Sequence, residues 1–128
     1  MKLSRITGLV TLLASLLLSL SVLASPSNKW RIQISESARS DGELVFLLSP
    51  KGGDSMQIVV PVTRGTSENQ VAQEIRKGFQ SQLDGAKFSV EVDDGEDVLI
   101  KTRAGQPDVD LKLASNTVES VRINLDRE

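Results

Sequence analysis

Five carboxylates fall within one short stretch of the 128-residue chain: Glu91, Asp93, Asp94, Glu96 and Asp97, gathered around Gly95. Clustered oxygen ligands are what a hard cation such as calcium binds, which makes Asp93, Asp94, Glu96 and Asp97 the candidate metal ligands. Two carboxylates at a suitable separation can also act as acid and base in glycoside cleavage. The order of the acids is not that of a calcium loop, which alternates its ligands ahead of a glycine and closes with a glutamate. The competing expectation is a solvated hairpin tip whose charge discourages edge-to-edge aggregation. A second candidate is the segment Arg64-Gly65-Thr66-Ser67, just ahead of a helical pattern. Free N–H groups at a helix start, with Arg64 beside Thr66 and Ser67, could hold a phosphate or carboxylate. The spacing is not that of a P-loop, and ordinary capping by Thr66 or Ser67 accounts for the same residues. A third candidate is a docking surface: the helix face with Arg76 and Lys77, or a free edge strand that a partner extends by strand addition.

What the chain lacks narrows the chemistry. It contains no His, no Cys and no Tyr, with one Trp and three Phe. A Ser-His-Asp triad, a Cys-His pair and a histidine-ligated zinc site therefore cannot be built from this chain. Few aromatic side chains remain for stacking on sugars or bases. No catalytic residue and no cofactor are expected.

The first residues read as an address. Lys2 and Arg5 precede an apolar run from Leu9 to Leu20, and Val22-Leu23-Ala24 offers small or aliphatic residues where a signal peptidase cuts. The pattern is that of a secretory signal over residues 1–24. The apolar run is short for a membrane span, which needs about 20 residues. With no Cys near the cut, lipid attachment there is not expected. Residues 25–128 would form one small domain. Two of the 15 basic residues lie in the leader, leaving 13 against 17 acidic ones. A mildly acidic domain argues against nucleic acid, whose binders need a basic footprint. A domain of this size without disulfides must be held by its core. The expected compartment is the periplasm, with full secretion as the alternative, and no membrane anchor is expected once the leader is cut.

The elements that position these residues follow from periodicity. Val71, Ala72, Ile75, Phe79 and Leu83 draw one apolar stripe, predicting an amphipathic helix over about 66–83. Ser67 with Gln70 fits a capping box, Glu68 suits the positive end of the helix dipole, and Gly85 is the expected left-handed C-cap. Gly78 is unfavourable in a helix and is expected to allow close packing on a sheet. Residues 29–35 alternate as a strand, with Trp30 anchoring the edge of the core. Residues 43–49 form a dense apolar run that predicts a central strand covered on both faces. Residues 55–62 predict a third strand, paired with the second as a hairpin, and Pro61 places its far end on an edge or at the strand exit. Residues 88–92 and 98–102 alternate on either side of Asp94-Gly95, a hairpin signal. Segments around 109–113 and 121–125 complete the set. The fold class is α+β: about seven mostly antiparallel strands with one helix packed on the sheet.

Residues 56–113 resemble the β-α-β-β module of flagellin and flagellar hook-associated proteins and of phage tail sheath proteins. The likeness rests on Gly65-Thr66-Ser67, Val71-Ala72 and Ile75 in the helix, the Asp94-Gly95 hairpin, and Ala104-Gly105 before a last strand. The Ile-Asn pair usual at the helix end of that module is absent, since Arg76 follows Ile75. The resemblance implies a fold element with a structural or surface role and transfers no functional residue.

The function expected from these readings is that of an exported, non-enzymatic module that binds another protein or an envelope component. The alternative is a carboxylate-dependent hydrolase or a calcium-stabilised module using the acidic 91–97 hairpin.

Overall fold

Period-two alternation places one side chain in two on the same side of a strand, and strands form at the six places where the sequence alternates and at the dense apolar run of residues 43–49. A computed structural model describes residues 26–128, and the leader expected over residues 1–24 lies outside them. The strands are β1 (Lys29–Ser35), β2 (Gly42–Pro50), β3 (Met56–Val62), β4 (Phe88–Asp93), β5 (Asp97–Thr102), β6 (Val109–Asn116) and β7 (Arg122–Arg127), with one helix, α1 (Glu68–Gln82), between β3 and β4. The fold is α+β.

The strands divide into two antiparallel sheets, ordered β4-β5-β1-β7 and β3-β2-β6. The apolar sides of the two sheets contribute to one core. Trp30, Ile32, Ile34, Val98 and Ile100 come from the first sheet; Leu44, Phe46, Leu48, Ile58, Val60 and Val62 come from the second. The expected hairpins are present: β2 pairs with β3, and β4 with β5. β3 is an edge strand, which agrees with Pro61, since proline has no N–H to give to a neighbouring strand.

β2 departs from its expectation in one respect. It is central, but it is covered from one side. Leu44, Phe46 and Leu48 are fully buried against the core, whereas Leu47 is half-buried on the opposite side, where no second layer lies among the described residues. Val45 shares that outer side and is still buried; its neighbours in register are Val59 and Ser115. Lateral neighbours thus shield Val45, and a dense apolar run does not require two covering layers. The register with β6 shifts between Val45 and Phe46.

The helix buries Val71, Ala72, Ile75 and Phe79, the expected stripe. It begins two residues later than expected because Thr66 is tied back into the turn: its N–H and its hydroxyl both donate to the Thr63 carbonyl, at 3.2 and 2.7 Å. Ser67 is the N-cap, accepting the Gln70 N–H at 3.3 Å. The expected left-handed cap at Gly85 does not form. Leu83 ends the helix in an extended conformation, its N–H still bonded to the Phe79 carbonyl at 2.8 Å. Asp84 then organises the exit, its side chain accepting the Ala86 N–H and its carbonyl accepting those of Lys87 and Phe88. With the carboxylate serving that turn, no left-handed residue is needed.

α1 packs chiefly on β3 and β4, the margins of the two sheets, and so closes one side of the sandwich. The rings of Phe46 and Phe79 meet with centroids 5.1 Å apart, inclined at 58°, a favourable tilted contact. Gly78 lies where the helix crosses β3: a Cβ there would come within 2.9 Å of a Val60 methyl. The glycine is what permits the close approach.

Candidate functional site

The acidic hairpin is built around a cation already in the chain. β4 and β5 are joined through Asp94, Gly95 and Glu96, with Asp94 and Gly95 both at positive φ (49° and 79°). This reversal sets Asp93 and Asp97 in register with each other. Arg31 of β1, on the same outer face, bonds Asp97 at 2.7 Å, Asp93 at 3.0 Å and Glu128 at 3.0 Å. These contacts, with Asp97 first, hold the Arg31 guanidinium above its already high ordinary pKa. Glu91 is paired with Lys101 at 3.0 Å. Three of the five acids therefore face a basic side chain. Among the described residues, no group of three or more acidic side chains is placed to hold a metal ion. Asp94 and Glu96 stay in the turn itself. The partner the sequence reading did not supply is Arg31, which lies some sixty residues away and appears only once β1 is set beside β5.

The helix start is engaged in capping. Ser67 serves Gln70 and Thr66 serves Thr63, as described above. Arg64 is exposed, and its N–H donates to Asp41 at 2.7 Å. Glu68 brings a carboxylate to this end of the helix and accepts the Glu36 N–H at 3.1 Å. Arg64, Thr66 and Ser67 are thus neighbours along the chain, but the two hydroxyls bond within their own turn.

The exposed helix face is likewise occupied by its own side chains. Arg76 bonds Gln73 and Gln80, each at 2.9 Å, and Lys77 lies 3.8 Å from Glu74. Two glutamines on this helix do something the sequence pattern did not signal. Gln80 donates to the Val90 carbonyl of β4 at 2.9 Å. Gln82 bonds both the N–H and the carbonyl of Val59 on β3, each at 3.1 Å. The helix thereby satisfies outward-facing backbone groups on both strands that it covers.

An apolar cleft lies at one end of the sandwich, where three connections diverge. The β2–β3 connection contributes Pro50, Gly53, Asp54 and Met56; the α1–β4 turn contributes Asp84, Lys87 and Phe88; the β5–β6 connection contributes Gln106, Pro107 and Val109. They enclose a cleft of about 450 Å³, within the range that takes a ligand or an anchoring side chain. Phe88 and Val109 form a buried floor, and Met56 is half-exposed at the wall. Lys87, Asp54 and Asp84 stand at the rim, giving one positive and two negative groups. Behind the floor, the Trp30 indole N–H donates to the Val109 carbonyl at 2.8 Å. In the sequence these residues fall at strand ends and in turns, and the signal there is two prolines, Pro50 at the end of β2 and Pro107 just ahead of β6.

The chain matches no protein-family model and no curated protein sequence.

Proposed function

We propose that this protein is an exported, non-enzymatic binding module, and that it seats an apolar side chain of a polypeptide partner in the cleft between Met56, Phe88 and Val109. The observation that carries the proposal is the cleft itself. An apolar floor ringed by polar groups is the anatomy of an interface anchor site, where one or two buried side chains supply most of the affinity. Its rim carries one more carboxylate than cation, which disfavours a phosphate-bearing lipid and suits a neutral or basic peptide segment. The pairing of Arg31 with Asp93 and Asp97 supports a structural role for the acidic hairpin, one that stiffens the sheet face. The likeness of residues 56–113 to a module with a structural or surface role points the same way. The leader pattern and the absence of cysteine support export to the periplasm.

The test is site-specific photo-crosslinking in cells expressing the full chain, with the probe at Met56 and, as a control, at Lys77. The expected result is one dominant protein adduct at Met56 that is lost when Phe88 is changed to Asp in a chain that still folds. Adducts of equal pattern at both positions, or a lipid adduct at Met56, overturn the reading.

A further inference from the structure

The two margins of the sandwich are not alike. On one side α1 covers β3 and β4, and Gln80 and Gln82 bond their outward backbone groups. On the other side lie β6 and β7. Among the described residues, β7 pairs with β1 alone.

The register shows which groups of β7 are free. Glu128 donates to the Lys29 carbonyl at 3.0 Å. Residues 31/126, 33/124 and 35/122 follow in the same register. Close pairs alternate in an antiparallel ladder, so Arg122, Asn124 and Asp126 turn their backbone groups toward β1. Ile123 and Leu125 turn theirs outward. The side chains of Ile123 and Leu125 are half-buried against the core, while Arg122, Asn124 and Asp126 stand exposed on the outer face.

The free edge is complementary to itself. If two copies of β7 run antiparallel about a two-fold axis at Asn124, Ile123 of each lies opposite Leu125 of the other. The outward N–H and carbonyl groups then meet as close pairs. Arg122 lies opposite Asp126 on both sides of the axis, and such opposed charges favour a strand pair. The neighbouring registers toward the C-terminus are less well matched. A shift by one residue sets the apolar side of one strand against the polar side of the other. Moving the axis to Leu125 sets Ile123 against Arg127, and moving it to Asp126 sets two carboxylates together. The β6 edge differs: at its start Ser27 already bonds both the N–H and the carbonyl of Val109.

We propose that the β7 edge is a homodimer interface, in which Ile123 and Leu125 of two copies pair about Asn124 and join two four-stranded sheets into one of eight. The proposal is independent of the cleft, which lies at the end of the sandwich and not along this edge.

The chain has no cysteine, so single cysteines report the register directly. In the proposed pair the two Asn124 Cα atoms face each other at about 4.5 Å, the spacing of a non-bonded antiparallel pair, and a disulfide spans that distance. The two Arg122 Cα atoms would be about 13 Å apart, four residues of strand rise, which no disulfide spans. The experiment expresses the full chain, recovers the exported protein, and measures its mass by sedimentation across concentration. Asn124→Cys and Arg122→Cys are then compared under mild oxidation.

The expected result is a concentration-dependent dimer of the natural chain, together with disulfide formation at Asn124→Cys that exceeds that at Arg122→Cys by about tenfold or more, given these separations. A natural chain that stays monomeric overturns the proposal, and so does a dimer without preferential crosslinking at Asn124→Cys. Asn124→Lys sets two cations at the axis and should weaken the dimer with the thermal midpoint of the monomer unchanged. A β7 edge found covered by residues 1–25 or by another protein would equally end it.

Discussion

Gln82 completes the backbone of Val59 as a fourth strand would. Its side-chain oxygen accepts the Val59 N–H and its side-chain nitrogen donates to the Val59 carbonyl, each at 3.1 Å, while the same nitrogen also reaches the Gly78 carbonyl at 2.9 Å. A primary amide carries one acceptor and two donors, which matches this set of bonds. The helix therefore occupies the edge of β3 with a side chain in place of a main chain.

That relationship predicts the effect of Gln82→Ala. Stability should fall by about 1–2 kcal/mol, the scale of two modest hydrogen bonds at an accessible site. Amide exchange at Val59 should accelerate by more than at Leu44, which lies deeper in the same sheet. Equal acceleration at both amides would mean that the glutamine supports the fold only globally.

Gly78→Ala sets two effects against each other. Helix propensity alone favours alanine by about 1 kcal/mol. The new methyl would meet a Val60 methyl at 2.9 Å, and Val60 is itself almost fully buried. Overpacking of this kind costs about 1–3 kcal/mol, so the net change measured by denaturant unfolding should be destabilising. Adding Val60→Ala should relieve part of the overpacking, so that the pair is less destabilised than the sum of its parts.

Arg31→Met leaves Asp93, Asp97 and Glu128 without their shared cation. The thermal midpoint should fall, and added salt should raise the midpoint of the variant more than that of the natural chain, because salt screens the three acids from one another. The pH dependence has a definite sign. A guanidinium with a raised folded-state pKa adds stability that is fully present below its unfolded value and lost only as pH rises through the higher folded value. That window lies above the ordinary arginine range. Raising the pH from 7 to about 10 should therefore remove none of the Arg31 contribution, and the gap in midpoint between natural chain and variant should stay constant over that interval.

Trp30→Phe tests the wall behind the cleft. The Val109 carbonyl accepts both the Trp30 indole at 2.8 Å and the Ser27 N–H at 2.8 Å. The carbonyl keeps one partner when the indole is removed, so the cost should be about 1–2 kcal/mol and not the full penalty of an orphaned buried acceptor. As the only tryptophan in the chain, Trp30 should also shift its emission when the cleft is filled. A titration with a neutral apolar peptide that leaves the emission unchanged while binding by calorimetry would place the binding elsewhere.

The strands and the helix were legible in the sequence because their signals are local. Phe88, Val90 and Val92 alternate, Val71 to Leu83 keep helical spacing, and Asp94-Gly95 marks a reversal; each pattern is contained within a few residues. The division into two sheets was not legible, because a half-buried strand reads alike whether its apolar side meets a helix or another sheet. Arg31 was invisible as the organiser of the acidic hairpin for a related reason. Its pairing with Asp93 and Asp97 exists only after β1 lies beside β5, a contact that no short-range pattern encodes. The cleft is hidden further, since it is made where three connections part, and connections carry turn signals whether or not they enclose space. Gly85 shows the limit of the local signals themselves: a glycine after a helix suits a left-handed cap, but here Leu83 turns extended and Asp84 gathers the N–H groups of Ala86, Lys87 and Phe88 into the following turn.

The helix that seals one margin also sets how far any strand-by-strand association could run. A sheet with two exposed margins can be extended at both, and copies of it can add without end. Here the margin formed by β3 and β4 is covered by α1 and blunted by Gln80, Gln82 and Pro61, so strand addition is confined to the opposite margin. Once the β7 edge is taken, the margin under the helix does not pass the pairing on. A domain rich in β-structure and free of disulfides is thereby guarded on one margin by its own helix, which acts as a chain terminator built into the monomer.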